Sequence, residues 1–259
     1  MSIDVTVDAG VCTIVINRPE RLNAMDADHY RDLSAAWRQV RDDANIRCAI
    51  VTGAGDKSFT TGADIKSFLT APPGYDEMWL TQRDQLLNRG LEVWKPVIAA
   101  INGYCLGGGV TLMLGTDIRV ASENATFNLA EVKRGIVPGN GGTQRILDQL
   151  PYAIGMEMLL TGDAIDAHTA ARWGLINKVV PDDRLKEETR KFALEIADRG
   201  PFALASIKAA FNARHGGVSG LARISHDLLL RPYLDTEESR ELSASFSEKR
   251  RPKTEKFGK

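Results

Sequence analysis

The chain has 259 residues, with 33 Lys and Arg against 34 Asp and Glu and a net charge of −1. That length builds one large core, or a core with an appendage. The near-zero charge excludes a global field that would draw the protein to nucleic acid or to an anionic membrane surface.

Residues 3–8 alternate polar and apolar, and Val11–Ile16 is apolar; together they read as a hairpin around Ala9-Gly10. Pro19 ends it. Asp26 is placed to cap a helix whose apolar face is Tyr30, Leu33, Trp37 and Val40. Cys48–Val51 is a short buried strand, closed by the turn residues 53–56. A glycine turn follows, Phe59-Thr60-Thr61-Gly62-Ala63-Asp64-Ile65-Lys66, and the Ala-Pro-Pro-Gly at 71–74 breaks any helix that runs on from it. Residues 76–93 read as helical, with Tyr75, Met78 and Trp79 as packing residues rather than a pocket wall. Pro96–Ile101 is a second buried strand. It runs into a second glycine turn, Asn102-Gly103-Tyr104-Cys105-Leu106-Gly107-Gly108-Gly109.

Residues 109–114 read as a helix and Ile118–Ala121 as a third strand. Residues 130–150 are irregular and glycine-rich, with a helical pattern resuming near Gln144. A late strand spans Ile176–Val180. From residue 182 the pattern is helical, with Leu185, Thr189, Phe192 and Ile196 on one face. The reading is an α/β core with a C-terminal helical appendage. The basic run at 249–253 is read as a solvated tail rather than a phosphate site.

Cys12, Cys48 and Cys105 lie scattered in apolar stretches, as reduced, buried thiols of a cytoplasmic protein do. The four histidines have no ligand spacing, so no metal site is expected. No basic segment and apolar run precedes the first strand, so no signal peptide is expected, and no apolar run has membrane-spanning length.

The two glycine turns carry the chemistry. Each follows a strand-like run and opens a helix-like one, a geometry that exposes backbone N–H groups. Two such turns converging on one carbonyl oxygen form an oxyanion hole. Glu131, just beyond, supplies a proton-transferring carboxyl. The glycine triplet lacks the spacing of a dinucleotide fingerprint. Plain turn glycines and a solvated glutamate are the alternative readings, and the paired junctions weigh against them.

In order along the chain, Arg18-Pro19 with Leu22-Asn23-Ala24-Met25, the two glycine turns, Lys95–Ala100, Asp117–Ala121, Gly135–Gly139 with Gly141–Arg145, Gly174–Asn177, and Phe246 with Glu248-Lys249-Arg250 resemble the crotonase, or enoyl-CoA hydratase/isomerase, superfamily. The resemblance implies a spiral of ββα turns over residues 1–200. It assigns 201–259 to a helical region for oligomerisation, as a trimer or dimer of trimers. It implies an acyl-CoA substrate whose thioester oxygen meets the amides of Ala63 and Gly108, with Glu131 as the catalytic carboxyl. Ala24, Gly62, Asp64, Ile65, Lys66, Gly107, Pro138, Gly139 and Asn140 fall on its substrate-binding positions, with Lys66 near the nucleotide. It implies no cofactor, since CoA enters with the substrate. Asn140 reads equally as a turn residue.

One position departs from the pattern. Hydratases of this superfamily carry a second glutamate where this chain has Thr111. A threonine hydroxyl donates or accepts a hydrogen bond but does not act as a base near neutral pH. Hydration or dehydration is favoured by frequency within the family, and double-bond isomerisation by the single acid. A CoA-ester-binding protein with little turnover is the third reading.

Overall fold

The structure is a computed structural model that describes residues 2–70, 85–88, 90–209 and 237–250. Strands β1 (Ile3–Asp8) and β2 (Val11–Ile16) form the expected hairpin. Ala9 and Gly10 both have positive φ, 49° and 75°, as a two-residue turn matched to strand twist requires. Asp26 caps the helix Ala27–Asp42, its carboxylate accepting from the His29 N–H.

The chain then repeats one move three times. A long strand enters the first sheet, the chain turns a corner, and a three-residue strand enters a second sheet. β3 (Cys48–Gly53) leads to β4 (Ser58–Thr60), β5 (Val97–Ile101) to β6 (Tyr104–Leu106), and β7 (Ile118–Ser122) to β8 (Thr126–Asn128). Helices Ile65–Thr70, Gly108–Met113 and Gly142–Gln149 follow the three pairs. This is a spiral of ββα turns. The first sheet runs β1-β2-β3-β5-β7-β10, with β10 at Lys178–Val180, and is parallel from β2 onward. The second runs β4-β6-β8-β9, with β9 at Ile165–Asp166 antiparallel to β8.

The first sheet is covered on both faces, as parallel sheets are. Cys48 and Ile50, with Ile98 and Ala100, pack with Leu185 and Ala193 of the helix Leu185–Ala197. Ala49 and Val51, with Val97, Ala99 and Ile101, face the main core around Trp37, Phe59 and Phe127. The period of two along each strand divides the two cores.

Corners are fastened by side-chain amides. The Asn102 Nδ2 donates to the carbonyls of Gly53 (3.0 Å), Gly55 (2.9 Å) and Ser58 (3.2 Å), and its Oδ1 accepts from the Gly53 N–H (3.1 Å). Asn23, fully buried, donates to Ser58 O at 2.6 Å and Ala54 O at 3.0 Å. The buried Arg119 donates to the carbonyls of Met113, Thr116 and Leu175. These groups satisfy backbone oxygens that no ladder reaches.

Several expectations shift. The sequence places each glycine turn directly between a strand and a helix; in the structure β4 precedes Gly62, and β6 lies inside the second turn, between Gly103 and Gly107. The third strand is longer than its apolar run by one residue, Ser122, and the late strand is shorter, starting at Lys178. Residues 85–88 and 90–93 are not helical; the rest of the helix read over 76–93, with Tyr75, Met78 and Trp79, lies outside the described residues, as does most of the basic tail. Residues 201–209 and Glu237–Ser247 are helical, and the latter helix rests on the Ala130–Arg134 turn of the core. All three cysteines are buried and free. Among the described residues, no helix is long and apolar enough to cross a membrane, and no cluster of three candidate metal ligands occurs.

Candidate active site

The first glycine turn is held by the loop after β2. Thr60 Oγ1 donates to Asn23 O (2.6 Å) and accepts from the Gly62 N–H (3.1 Å). The Met25 N–H donates to Gly62 O and the Asp64 N–H to Met25 O, both at 2.8 Å. Those two bonds form a bridge opposite Ala63 and leave the Ala63 amide outside it.

The second turn ends on Gly107, with φ 52° and ψ −116°. Its N–H donates to Asn128 O at 2.9 Å, and its carbonyl accepts from the Thr111 N–H at 3.1 Å. Gly108 is therefore the first residue of its helix, where the amide has no intrahelical partner. The turns touch. A Cβ on Gly62 would stand 2.6 Å from Gly108 N, and a Cβ on Gly108 would stand 3.4 Å from Ala63 N. Only glycines permit this approach, and it makes neighbours of the Ala63 and Gly108 amides.

Glu131 lies in the 3₁₀ turn Ala130–Arg134 and is 8% exposed. A Cβ on Gly107 would stand 3.1 Å from its Oε1, so the carboxyl sits against the residue that precedes the Gly108 amide. Its Oε2 is buried without a hydrogen-bond partner. Burial pushes its pKa up to about 6; a hydrogen bond from its own backbone N–H and, less strongly, the nearby Arg134 cation oppose that rise. A buried carboxyl with one unpaired oxygen and such a pKa is poised to exchange protons near neutral pH.

Thr111 is 2% exposed, with its hydroxyl 3.4 Å from Gly107 O. It lies beneath the Pro138–Gly142 loop: a Cβ on Gly142 would stand 2.7 Å from Thr111 Oγ1 and 3.1 Å from the Pro138 Cβ. That loop is closed by Gly142 N–H to Gly139 O (3.0 Å) and Thr143 Oγ1 to Pro138 O (3.2 Å), with Asn140 at φ 53° and Gly141 at φ 78°. Ala63, Gly62, Gly107, Gly108, Glu131, Thr111, Pro138 and Gly139 thus form one continuous patch of the molecule.

The other expected positions lie along the first turn. Ile65 and Lys66 open the helix Ile65–Thr70, with Lys66 exposed. Asp64 is already engaged. Burial tends to raise its pKa, but backbone donation from Ser67 and the Arg18 guanidinium outweigh that and hold it below the usual carboxylate value. Arg18 Nη1 reaches Asp64 Oδ2 at 3.0 Å, Ala24 O at 3.2 Å and Asp26 Oδ2 at 3.4 Å. Arg18 therefore joins the Ala24 and Asp64 positions, a role its sequence neighbourhood does not announce. Its one signal in the sequence is its place beside Pro19 among the residues that carry the family resemblance.

A family model described as enoyl-CoA hydratase/isomerase matches residues 6–256. The chain is 40% identical over 255 residues to the (E)-benzylidenesuccinyl-CoA hydratase of Thauera aromatica, covering 97% of this chain and 98% of that protein. It is 36% identical over 255 residues to the carnitinyl-CoA dehydratase of Proteus mirabilis strain HI4320, with 97% of each covered. Its fold matches the crystal structure of carnitinyl-CoA hydratase from Mycobacterium avium with a TM-score of 0.87 at 33% identity over 97% of each chain.

Proposed function

The chain belongs to the enoyl-CoA hydratase/isomerase family, and on that premise we propose that it adds water across the α,β double bond of an enoyl-CoA thioester and, in reverse, removes it from the 3-hydroxyacyl thioester. The observation that carries this reading is the buried Glu131 carboxyl, its Oε2 without a hydrogen-bond partner, against the residue that leads into the Gly108 amide. The hydratase and dehydratase names of its relatives support water chemistry. In this scheme the thioester oxygen accepts from the Ala63 and Gly108 amides, which stabilises the enolate as charge develops on it. The Glu131 carboxylate takes a proton from water as the water oxygen bonds to the β-carbon. The same carboxyl then gives that proton to the α-carbon as the enolate collapses. Dehydration runs the same path backwards. Both directions start from the charged carboxylate, so turnover rises as pH increases through about 6. The scheme calls for no metal and no cofactor beyond the CoA of the substrate.

Thr111 favours a second reading, double-bond isomerisation, because one carboxyl suffices to remove and return a proton. Turnover of crotonyl-CoA and of a 3-enoyl-CoA, followed by thioester absorbance and product chromatography, separates the two. Hydration of crotonyl-CoA is the expected result, and Thr111→Glu raises its rate by supplying a second acid, at the cost of displacing the loop over Thr111. Conversion of the 3-enoyl ester without hydration makes the protein an isomerase. Calorimetric binding of both esters without turnover of either makes it a CoA-ester-binding protein, and absence of binding sinks the site assignment.

The exposed Lys66 supports placement of the CoA nucleotide at the start of the helix Ile65–Thr70. The three buried free thiols support a cytoplasmic setting. Exposed Phe202 and Ile207 on the helical segment 201–209 support assembly into a trimer or dimer of trimers through the C-terminal region. Sedimentation as a 28.4 kDa monomer overturns that assembly.

A further inference from the structure

The C-terminal helix Glu237–Ser247 packs against the 3₁₀ turn that carries Glu131. Its contact is specific. The Arg134 guanidinium lies 4.7 Å from the centre of the Phe246 ring, within the range of a cation–π interaction. In a 3₁₀ turn, side chains three residues apart eclipse one another, so Arg134 shares an edge of the turn with Glu131. The end of the helix is fixed in turn: Lys249 takes a φ of 53°, the Arg250 N–H donates to Ser245 O at 3.0 Å, and Arg250 Nη1 bonds Glu241 Oε1 at 2.6 Å.

We propose that Phe246 is a positioning residue for the active-site acid: its ring holds the Arg134 cation against the turn and so helps set the protonation of Glu131 from outside the pocket. The inference rests on the reading of Glu131 as the proton-carrying group. Burial favours the neutral acid, while the carboxyl's own backbone N–H and then the Arg134 cation favour the carboxylate. Other charged groups come from the elements packed on the turn. The helix Tyr152–Thr161 brings Tyr152 and Glu157; the C-terminal helix brings Glu237, Arg240 and Glu241, with Glu248, Lys249 and Arg250 just beyond it. Lys133, on the turn itself, is paired with Asp163 at 2.6 Å, and Glu241 with Arg250. Of all these, Arg134 is the one whose charge bears on Glu131.

The test titrates the carboxyl directly in ligand-free, full-length protein labelled with carboxyl-¹³C glutamate. The Glu131 resonance is the one missing from Glu131→Gln. Because no turnover is needed, a failed activity assay leaves this measurement standing. Arg134→Leu is expected to raise the titration midpoint, since the carboxylate loses its cation. Phe246→Ala and Phe246→Leu are expected to raise it in the same direction, and Phe246→Tyr, which keeps a ring face, to leave it at the wild-type value. A purely structural role predicts otherwise: Phe246→Leu, which keeps apolar bulk, would then titrate like wild type. That result, or an unmoved midpoint in Arg134→Leu, overturns the proposal.

Discussion

Glu131→Gln lowers kcat by roughly 10²–10⁴-fold, the usual cost of losing a general acid–base group, while calorimetric affinity for a CoA ester stays near wild type. The amide side chain keeps the shape but neither takes nor returns a proton, and the Ala63 and Gly108 amides remain in place. The same substitution is expected to stabilise the fold. The pKa of Glu131 is about 6 in the folded protein against an ordinary 4.5. Below about pH 4.5 the group is neutral in both folded and unfolded chains, and no cost arises. As pH rises through about 6 the folded protein must carry a buried charge, at a cost of about 2 kcal/mol. Glutamine never bears that charge, so thermal melts should show the variant ahead of wild type near pH 7 and level with it in acid. Unchanged activity would remove Glu131 from the mechanism. A variant no more stable at pH 7 than wild type would show that the carboxyl is not strained by its burial.

Gly62→Ala is the second large effect, with kcat/KM falling by about 10²–10³-fold, the scale of a lost oxyanion donor. Two costs coincide there. Gly62 has a φ of 83°, a conformation that costs an L residue about 1–2 kcal/mol. The new methyl would stand 2.6 Å from Gly108 N, so one of the two turns must move and the paired amides part. Gly174→Ala is the control: its φ of 78° brings a similar backbone cost, but nothing lies within 4 Å of the added carbon. The control should lose stability and keep its kcat/KM. If both variants keep full activity, the close approach of the turns has no part in catalysis.

The hairpin, the Asp26 cap, the buried strands and the placement of Glu131 beside the second glycine turn were legible in the sequence because each has a local cause: a positive-φ turn pair, a capping side chain, an apolar run, an acid just beyond a glycine loop. The second sheet was not. Its three parallel strands have three residues each, too short for a period of two to register. The work of Asn23, Asn102 and Arg119 was equally hidden. They stand in the motifs that point to the family, yet Asn23, Asn102 and, through Leu175, Arg119 bond carbonyl oxygens distant in sequence, and only the folded corners show which ones. For the same reason the sequence showed Ala24 and Asp64 as separate positions, whereas a single guanidinium, that of Arg18, ties them together. Thr111 was visible as a missing acid; that it lies sealed beneath Gly142 was not.

The three thiols offer a readout of a different kind. Cys12 and Cys48 are pushed up to about 11 and about 12 by burial, and Cys105 further still. Only the thiolate reacts with alkylating reagents, so the native protein presents almost no target at neutral pH. Cys105 sits in β6, two residues before Gly107, and Cys48 begins β3, so each is guarded by a different sheet. Labelling by iodoacetamide, resolved cysteine by cysteine in a mass spectrometer, therefore clocks the opening of each sheet separately, with no engineered reporter. Because the thiols are shut in until the fold opens, inhibition by such a reagent would measure unfolding rather than occupancy of the active site.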